Sequence, residues 1–200
     1  MTKPILIVMA RAPRFGAVKT RLARDIGVLQ AWQFYRQTLK ASLQRLGRSS
    51  QWNTWLQVTP DRDMRPLGQW PASAGVITQG RGGLGPRMER GLTAFPLGTP
   101  VVLIGSDIPD VTEAQVQRAF KALRQSDVVL GPAADGGFWL VGFANRRPVN
   151  HPFENVRWST PHALNDTLNG LPHRRIALVD RMRDVDDGES YRQRASTTSN

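Results

Sequence analysis

Apolar runs alternate with amphipathic stretches along the chain. Seven short runs are rich in the apolar and β-branched residues typical of strands. These predicted strands cover residues 4–10, 52–59, 75–79, 100–105, 127–131, 137–143 and 175–179. Between them, apolar residues at helical spacing predict helices over 28–47, 86–94, 111–123 and 159–171. The alternation predicts an α/β fold: a three-layer α/β/α sandwich around a mostly parallel central sheet.

One of the predicted helices has particularly clear signals. Thr112 and Gln115 have the spacing of a capping box, in which each side chain binds a backbone N–H that the helix leaves unpaired. No repeat or low-complexity linker divides the 200 residues, so we predict a single domain over residues 1–190. The small, polar ASTTSN ending predicts a flexible tail over 191–200.

The composition excludes several classes of protein. Hydrophobic residues make up 40% and charged residues 22%, as in ordinary globular proteins. No cysteine is present, which excludes a disulfide framework and a thiolate metal site. No window approaches the roughly 20 apolar residues of a spanning helix, and the apolar run near the N-terminus is too short for a signal peptide. We therefore predict a cytoplasmic protein without membrane insertion.

The chain is strongly basic, with 27 Lys and Arg against 16 Asp and Glu, a net charge of +11. Such an excess favours anionic partners. No zinc-finger, RRM or helix-turn-helix signature accompanies it, so a nucleotide or phosphorylated metabolite is favoured over nucleic acid. The three histidines have no metal-ligand spacing. Nothing in the sequence indicates an oligomeric state.

Asp107 directly follows the strand predicted over 100–105, in the segment LIGSDIPD. Open α/β sheets bind ligands at the carboxyl ends of their strands. A carboxylate at that point can hold a divalent cation against phosphate oxygens. The alternative, an aspartate that only caps a turn, fits the residue equally well when it is taken alone.

A cationic loop follows the first predicted strand. In ARAPRFGAVKTRLA, residues 10–23, Arg11, Lys19 and Arg21 surround a glycine and two prolines. Backbone N–H groups at a helix start attract phosphate, and nearby cations add to that attraction. The Walker pattern G-x-x-x-x-G-K-[ST] is absent. The alternative is an exposed basic loop, but so many cations directly after the first strand favour a phosphate site.

Two other segments carry carboxylates. In GPAADGGFWLVG, residues 131–142, Asp135 precedes Gly136 and Gly137, which predicts a turn that also presents this carboxylate. In MRDVDDGES, residues 182–190, three aspartates follow the last predicted strand. They could cap a helix, or one of them could complete a metal site with Asp107.

The segment QGRGGLG, residues 79–85, matches the dinucleotide pattern G-x-G-x-x-G. The strand before it is short and in the middle of the chain, and Pro86 follows at once. Dinucleotide binding is therefore a minor alternative.

Six segments together resemble a known family. VMARAPRFGAVKTRLA, QGRGGLGPRM, LIGSDIPD, VVLGPAADGGFWLVG, RWSTP and DVDD occur in the order found in an uncharacterised bacterial family with the glycosyltransferase-A fold, the fold of nucleotide-diphospho-sugar transferases. The resemblance extends to residue 190. KTRL also resembles the start of the 2-phospholactate guanylyltransferases, and DVD resembles the end of that group and of the molybdenum-cofactor guanylyltransferases.

The resemblance implies a role for each matching residue. It implies that Mg²⁺ or Mn²⁺ is held by Asp107 and Asp186. The implied nucleotide-binding residues are Ala10, Arg11, Ala12, Lys19, Arg21, Gly105 and Ser106. The implied acceptor-binding or sugar-binding residues are Asp135, Gly136, Gly137 and Trp158. The implied catalytic residues are Lys19, Asp107 and Asp135.

The chain departs from the family at three places. Gly83 stands where the family usually has Asp, Phe15 stands where it has Pro, and DVDDGES replaces the usual DVDTPEDL. The first departure removes a carboxylate and motivates a non-catalytic, nucleotide-binding alternative.

The resemblance favours a metal-dependent, glycosyltransferase-like enzyme with a nucleotide or nucleotide-sugar donor and a small-molecule acceptor. The cationic first loop favours the alternative of a guanylyltransferase-like nucleotidyltransferase, because a leaving pyrophosphate needs nearby cations. Both reactions rely on positioning and electrostatics, so neither requires a covalent nucleophile.

Overall fold

Seven strands form the centre of the molecule in a computed structural model that describes residues 2–63 and 74–198. They are β1 (Ile5–Arg11), β2 (Asn53–Thr59), β3 (Gly75–Thr78), β4 (Val101–Gly105), β5 (Val128–Pro132), β6 (Phe138–Phe143) and β7 (Ile176–Leu178). Each coincides with a predicted strand to within one or two residues. The pattern located them well because most of these runs are buried on both faces and therefore almost continuously apolar.

Within the described ranges the chain forms six α-helices and a single 3₁₀ turn at Asp61–Asp63. The helices are α1 (Thr20–Ile26), α2 (Val28–Leu46), α3 (Leu84–Leu92), α4 (Glu113–Ala122), α5 (Ala163–Asn169) and α6 (Gly188–Thr198). The capping box predicted at Thr112 and Gln115 begins α4. None of the helices in this part of the chain combines the length and apolar character needed to cross a membrane.

Helices α5 and α6 differ from expectation. The helix predicted from residue 159 begins instead at Ala163, because Ser159 adopts a left-handed conformation with φ 59° that a helix cannot include. Helix α6 covers most of the segment 191–200, for which we predicted a flexible tail. Its first turn is capped by Asp187, which accepts a hydrogen bond from Ser190 N at 2.8 Å. The last two residues of that segment lie outside the described residues.

The strand order is β3-β2-β1-β4-β6-β5-β7, and only β6 runs antiparallel to its neighbours. β6 is antiparallel because a short turn, rather than a crossover helix, joins it to β5. This confirms the predicted mostly parallel sheet. As a result, the carboxyl ends of the parallel strands and the turn before β6 lie at the same edge of the sheet.

Alternate side chains of the strands pack into two hydrophobic layers. On one face, Leu6 and Val8 of β1 pack with residues of α2 and α4. On the other face, Ile5 and Ile7 of the same strand pack with residues of α3 and α5. The two layers confirm the predicted three-layer sandwich.

The close packing of β6 between β4 and β5 requires a residue without a side chain at position 142, which is glycine. A Cβ atom at Gly142 would lie 2.8 Å from Val102 Cγ2 and 2.9 Å from Val129 Cγ1. We expect Gly142→Ala to lower the free energy of unfolding by about 1–3 kcal/mol, because the strands would have to separate to admit the methyl group. Urea denaturation measures this change.

Gly83→Ala is the matched control, because a Cβ atom there would meet nothing within 4 Å. Equal stability losses in the two variants would contradict the packing explanation.

Candidate active site

The end of strand β4 forms the floor of the site. The chain turns after Gly105, and the side chain of Asp107 folds back over that glycine. A Cβ atom at position 105 would lie only 2.6 Å from Asp107 Oδ1, so the fold-back requires glycine there. The backbone carbonyl of Asp107 accepts a hydrogen bond from Val185 N at 3.3 Å, which brings the C-terminal segment alongside.

Three carboxylates meet at this point. Asp107, Asp184 and Asp186 each offer an oxygen within 4.8 Å of the others. The pKa of the Asp184 carboxyl rises to about 6, first because the group is partly buried and then because Asp186, Asp107 and Asp135 carry like charges. Asp187 instead caps α6 through Ser190, and the hydrogen bonds from Ser190 lower its pKa.

Lys19 places its ammonium group between these carboxylates. Its Nζ donates to Asp107 Oδ2 at 3.3 Å and also to Asp186 Oδ1. Burial alone would lower the pKa of Lys19, but the charges of Asp107 and Asp186 outweigh burial and raise it. The residue is the N-cap of α1 and has a left-handed backbone, φ 48° and ψ 47°. Non-glycine residues held in this region are uncommon and concentrate at functional sites.

A cationic pocket of about 290 Å³ opens beside Lys19. It is lined by Arg11, Thr20, Arg21, Tyr35 and Ser106, together with Lys19 and its carboxylate partners. Part of the loop predicted to bind phosphate thus lines a concave surface, although Arg11 and Arg21 are themselves exposed. The side chain of Arg11 braces this loop by donating to the carbonyl oxygen of Ala17 at 3.1 Å.

Tyr35 of α2 fixes the end of strand β1 beneath this pocket. Its buried hydroxyl accepts from Arg11 N at 3.0 Å, donates to Arg11 O at 2.7 Å and lies 3.3 Å from Ser106 Oγ. Burial raises the pKa of this hydroxyl, so it stays protonated and able to donate. One side chain thus positions the ends of both β1 and β4.

On the other side of Asp107 lies a larger cleft of about 420 Å³. One wall is formed by the ends of β1 and β3 and by α3, through Ala10, Arg11, Gln79, Leu84 and Arg87. The opposite wall is formed by Asp135, Gly137, Phe138, Trp158, Ser159 and Thr160. Gly105, Ser106, Asp107 and Asp184 also line it. The two cavities share Arg11, Ser106 and Asp107.

The aromatic wall is held by an ion pair behind it. Arg157 donates through its backbone N and its guanidinium to both oxygens of Asp166 in α5. These bonds lower the pKa of Asp166 to about 2, so the carboxylate is ionised at neutral pH. The pair fixes the loop that carries Trp158, whose ring packs at 6.0 Å, edge to face, on Phe138.

Most of the predicted site residues come together here, and two have structural roles instead. Ala12 packs in the hydrophobic core, and its backbone N donates to Thr59 O at 2.8 Å. Gly136, with φ 87°, allows the turn to approach the segment before α5, where a Cβ atom would lie 2.4 Å from Pro161 O. Asp135 presents its carboxylate as predicted and accepts a hydrogen bond from Gly137 N at 2.9 Å.

The glycine loop over 79–85 forms part of the first wall. It is braced from α3 by Arg90, which donates to Gln79 O and Arg81 O, and by Arg87, which donates to Gly82 O at 2.8 Å. The preceding strand, β3, is at the edge of the sheet. A dinucleotide fingerprint belongs at the point where the strand order reverses, so this location argues against the dinucleotide alternative.

Sequence reasoning included Asp184 only as one of three candidate aspartates, and it missed Tyr35 and Arg87 as site residues. Asp184 had a signal, because residues two apart in an extended segment share a face and Asp186 lies two positions on. Tyr35 and Arg87 gave no local signal, since their partners at the site are distant in sequence or depend on the shape of the cleft.

Comparisons with known proteins agree with this architecture. A family model described as "Uncharacterized protein conserved in bacteria (DUF2064)" matches residues 42–160. No curated protein matches the chain. A crystal structure from Desulfovibrio desulfuricans G20, described as that of a candidate nucleotide-diphospho-sugar transferase, superposes with a TM-score of 0.91 at 29% identity, over 100% of this chain and 89% of that one.

Two more distant structures share the fold. CMP:2-keto-3-deoxy-manno-octonic acid synthetase in complex with CTP has a TM-score of 0.60 at 10% identity, with 99% of each chain covered. Rv0371c from Mycobacterium tuberculosis H37Rv in complex with manganese has a TM-score of 0.56 at 18% identity, over 96% of this chain and 97% of that one. The fold is therefore of the glycosyltransferase-A type, as the sequence resemblance implied.

Tyr35 is expected to contribute to stability through its hydroxyl. Tyr35→Phe keeps the ring but leaves the Arg11 backbone groups without this partner, so the free energy of unfolding should fall by about 1–3 kcal/mol. Chemical denaturation measures the change. Tyr191→Phe is a control in which only a half-buried hydroxyl is removed; if both variants lose the same stability, the bracing role of Tyr35 is wrong.

Gly83 is the N-cap of α3, and no side chain caps that helix. An aspartate there, as in the family, would accept a hydrogen bond from the first turn. We expect Gly83→Asp to raise the free energy of unfolding by about 0.5–1 kcal/mol, from the cap and from a less flexible unfolded chain. Thermal denaturation tests this, and a loss of stability would show that the position does not accept a capping side chain.

Proposed function

The chain belongs to this bacterial family, DUF2064, and we propose that it is a divalent-metal-dependent transferase that takes a nucleotide-diphosphate sugar as donor and passes the sugar to a small-molecule acceptor. One observation carries the proposal. Three carboxylates, Asp107, Asp184 and Asp186, meet between a cationic pocket and an aromatic-walled cleft. A nucleotide sugar has matching parts: an anionic diphosphate, a planar base and a sugar.

The comparisons support this assignment at different levels. The Desulfovibrio desulfuricans protein is similar over the whole chain at 29% identity, and its description names this class of transferase. The structures with CTP and with manganese are too distant in sequence to support more than the fold.

The carboxylate cluster fits a hard divalent cation. It offers three carboxylate oxygens, and no cysteine is present to compete as a soft ligand. Oxygen ligands of this kind suit Mg²⁺ and Mn²⁺. We assign Asp107, Asp184 and Asp186 as the residues that would hold it. When bound, such a cation would offset the charge of a diphosphate and stabilise it as a leaving group.

The cationic pocket is assigned to the diphosphate of the donor. Its positive charge comes from Lys19, Arg11 and Arg21. In the proposed reaction the bond between the anomeric carbon and the diphosphate oxygen breaks, and the nucleoside diphosphate leaves with additional negative charge. Cations held around the bound diphosphate stabilise that charge as it develops. Lys19 is suited to this because the neighbouring carboxylates keep it protonated.

Asp135 and Trp158 provide the acceptor side. Asp135 is exposed at the turn before β6 and lines the same cleft as Trp158. We assign Asp135 to receive the proton of the acceptor hydroxyl as its oxygen bonds to the anomeric carbon. Trp158 offers an aromatic face against which a sugar ring can pack.

A nucleotidyltransferase is the second candidate. The cationic pocket favours it, because attack at the α-phosphate of a nucleoside triphosphate releases pyrophosphate next to Lys19 and Arg21. The same carboxylates and cations serve both reactions, so the donor that binds distinguishes them.

A thermal-shift panel tests the proposal. Nucleoside triphosphates and nucleotide sugars are compared with and without Mn²⁺, since a ligand that binds only the folded state raises its stability by about 2.7 kcal/mol at one hundred times its Kd. We expect a manganese-dependent rise in Tm with a UDP- or GDP-sugar. A rise confined to one triphosphate would favour nucleotidyl transfer. Binding without turnover for any acceptor would favour the non-catalytic alternative.

Asp107→Asn should abolish the manganese-dependent shift and change the Tm of the unliganded protein little. The amide removes a metal ligand, but Lys19 keeps its contact with Asp186. Glu154→Gln is the control, since this exposed carboxylate lines neither cavity. A variant at position 107 that keeps the full shift would show that the metal site is elsewhere.

A further inference from the structure

The ammonium group of Lys19 and a bound metal would compete for the same two carboxylate groups, those of Asp107 and Asp186. Nζ donates to Asp107 Oδ2 at 3.3 Å and to Asp186 Oδ1. A divalent cation would coordinate oxygens of the same carboxylates at about 2.0–2.6 Å. Two cations held this close by the same carboxylates repel each other. Lys19 in the arrangement seen here therefore opposes metal binding at the cluster.

The ammonium is also well placed to resist displacement. The side chain of Lys19 is only 7% exposed, and its two ion-pair partners are 35% and 45% exposed. Moving the ammonium group away from Asp107 and Asp186 without giving it new partners would leave a buried charge unpaired. That costs free energy. A metal ion arriving alone must therefore displace an ammonium that is paired with two carboxylates.

An anion in the cationic pocket changes this balance. The pocket adjoins Lys19 and is lined by Arg11, Thr20 and Arg21. The backbone of Lys19 is fixed at the start of α1, whereas its long side chain can rotate. A phosphate in the pocket would give the ammonium new acceptors, and would itself supply oxygen ligands to a metal at the carboxylates.

From this geometry we propose that Lys19 excludes free divalent cations from the carboxylate cluster, and that the metal enters only together with the phosphates of the nucleotide. This inference rests on the proposed function, because it assumes the metal site at Asp107, Asp184 and Asp186. It adds an order of binding: phosphate groups move Lys19 to the pocket and open the cluster. Metal affinity and nucleotide affinity are then coupled through one side chain.

Manganese binding measured without any reaction tests this proposal. Mn²⁺ alone is titrated into the wild-type protein and into Lys19→Met, and free Mn²⁺ is followed by its electron paramagnetic resonance signal. We expect Lys19→Met to bind Mn²⁺ at least tenfold more tightly than the wild type. An unchanged or weaker affinity would overturn the competition.

Two variants separate competition from a general loss of positive charge. Arg21→Met removes a cation from the same pocket but none from the carboxylates, so its affinity for Mn²⁺ alone should match that of the wild type. Lys19→Arg keeps a competing cation and should also bind Mn²⁺ weakly. If Arg21→Met binds Mn²⁺ as tightly as Lys19→Met does, the gain in affinity comes from net charge, and the proposal is overturned.

The coupling between Mn²⁺ and anions provides a second readout, and its first measurement uses the wild-type protein alone. Adding UDP, GDP or inorganic pyrophosphate should raise its affinity for Mn²⁺ at least tenfold beyond binding by the anion itself, and Lys19→Met should lose most of this coupling. No coupling with any of the three anions would refute the order of binding.

The same titrations distinguish failure of this inference from failure of the proposed function. Asp107→Asn combined with Lys19→Met should lose the tight manganese site. If the double variant binds Mn²⁺ as well as Lys19→Met does, the metal site itself is wrong. If Lys19→Met leaves an Asp107-dependent site unchanged, only the competition is wrong.

Discussion

Repulsion among three carboxylates is the constraint around which this site is organised. Asp107, Asp184 and Asp186 come within 4.8 Å of one another, and partial burial limits how far water can screen them. Such a cluster needs a cation. The fold supplies one by holding Lys19 in a left-handed conformation at the start of α1. This ammonium group contacts both the end of β4, through Asp107, and the C-terminal segment, through Asp186.

The C-terminal helix is part of the same arrangement. The backbone N of Gly188 donates to Asp25 in α1 at 2.7 Å, and Arg194 pairs with Asp110. Tyr191 packs edge to face on Phe34 of α2 at 5.2 Å. These contacts anchor α6 and thereby hold the preceding aspartates against the end of β4. A segment with little apolar periodicity is thus held in place by a few specific side-chain contacts.

The strands and the position of Asp107 could be predicted because both depend on local patterns. A buried apolar run that ends in an acid is visible without knowledge of the fold. Local patterns could not decide which of the last three aspartates lie at the site. Asp187 is turned away because it caps α6 through Ser190, and that contact is seen only in the folded structure. Tyr35 lies on an ordinary amphipathic helix, and its partners are 24 and 71 residues away in sequence. Long-range hydrogen bonds of this kind leave no periodic signal.

The reversed direction of β6 has a consequence for how this protein family can diversify. Because β6 runs against its neighbours, the turn before it reaches the same edge of the sheet as the carboxyl ends of β1 and β4. The wall with Asp135 and Trp158 therefore comes from residues 133–160, separate from the loop that carries Lys19. Under the proposed function, insertions or substitutions in this later stretch would alter acceptor choice while the phosphate-binding pocket stays intact. Donor and acceptor preference would then evolve independently, because separate segments of the chain determine them.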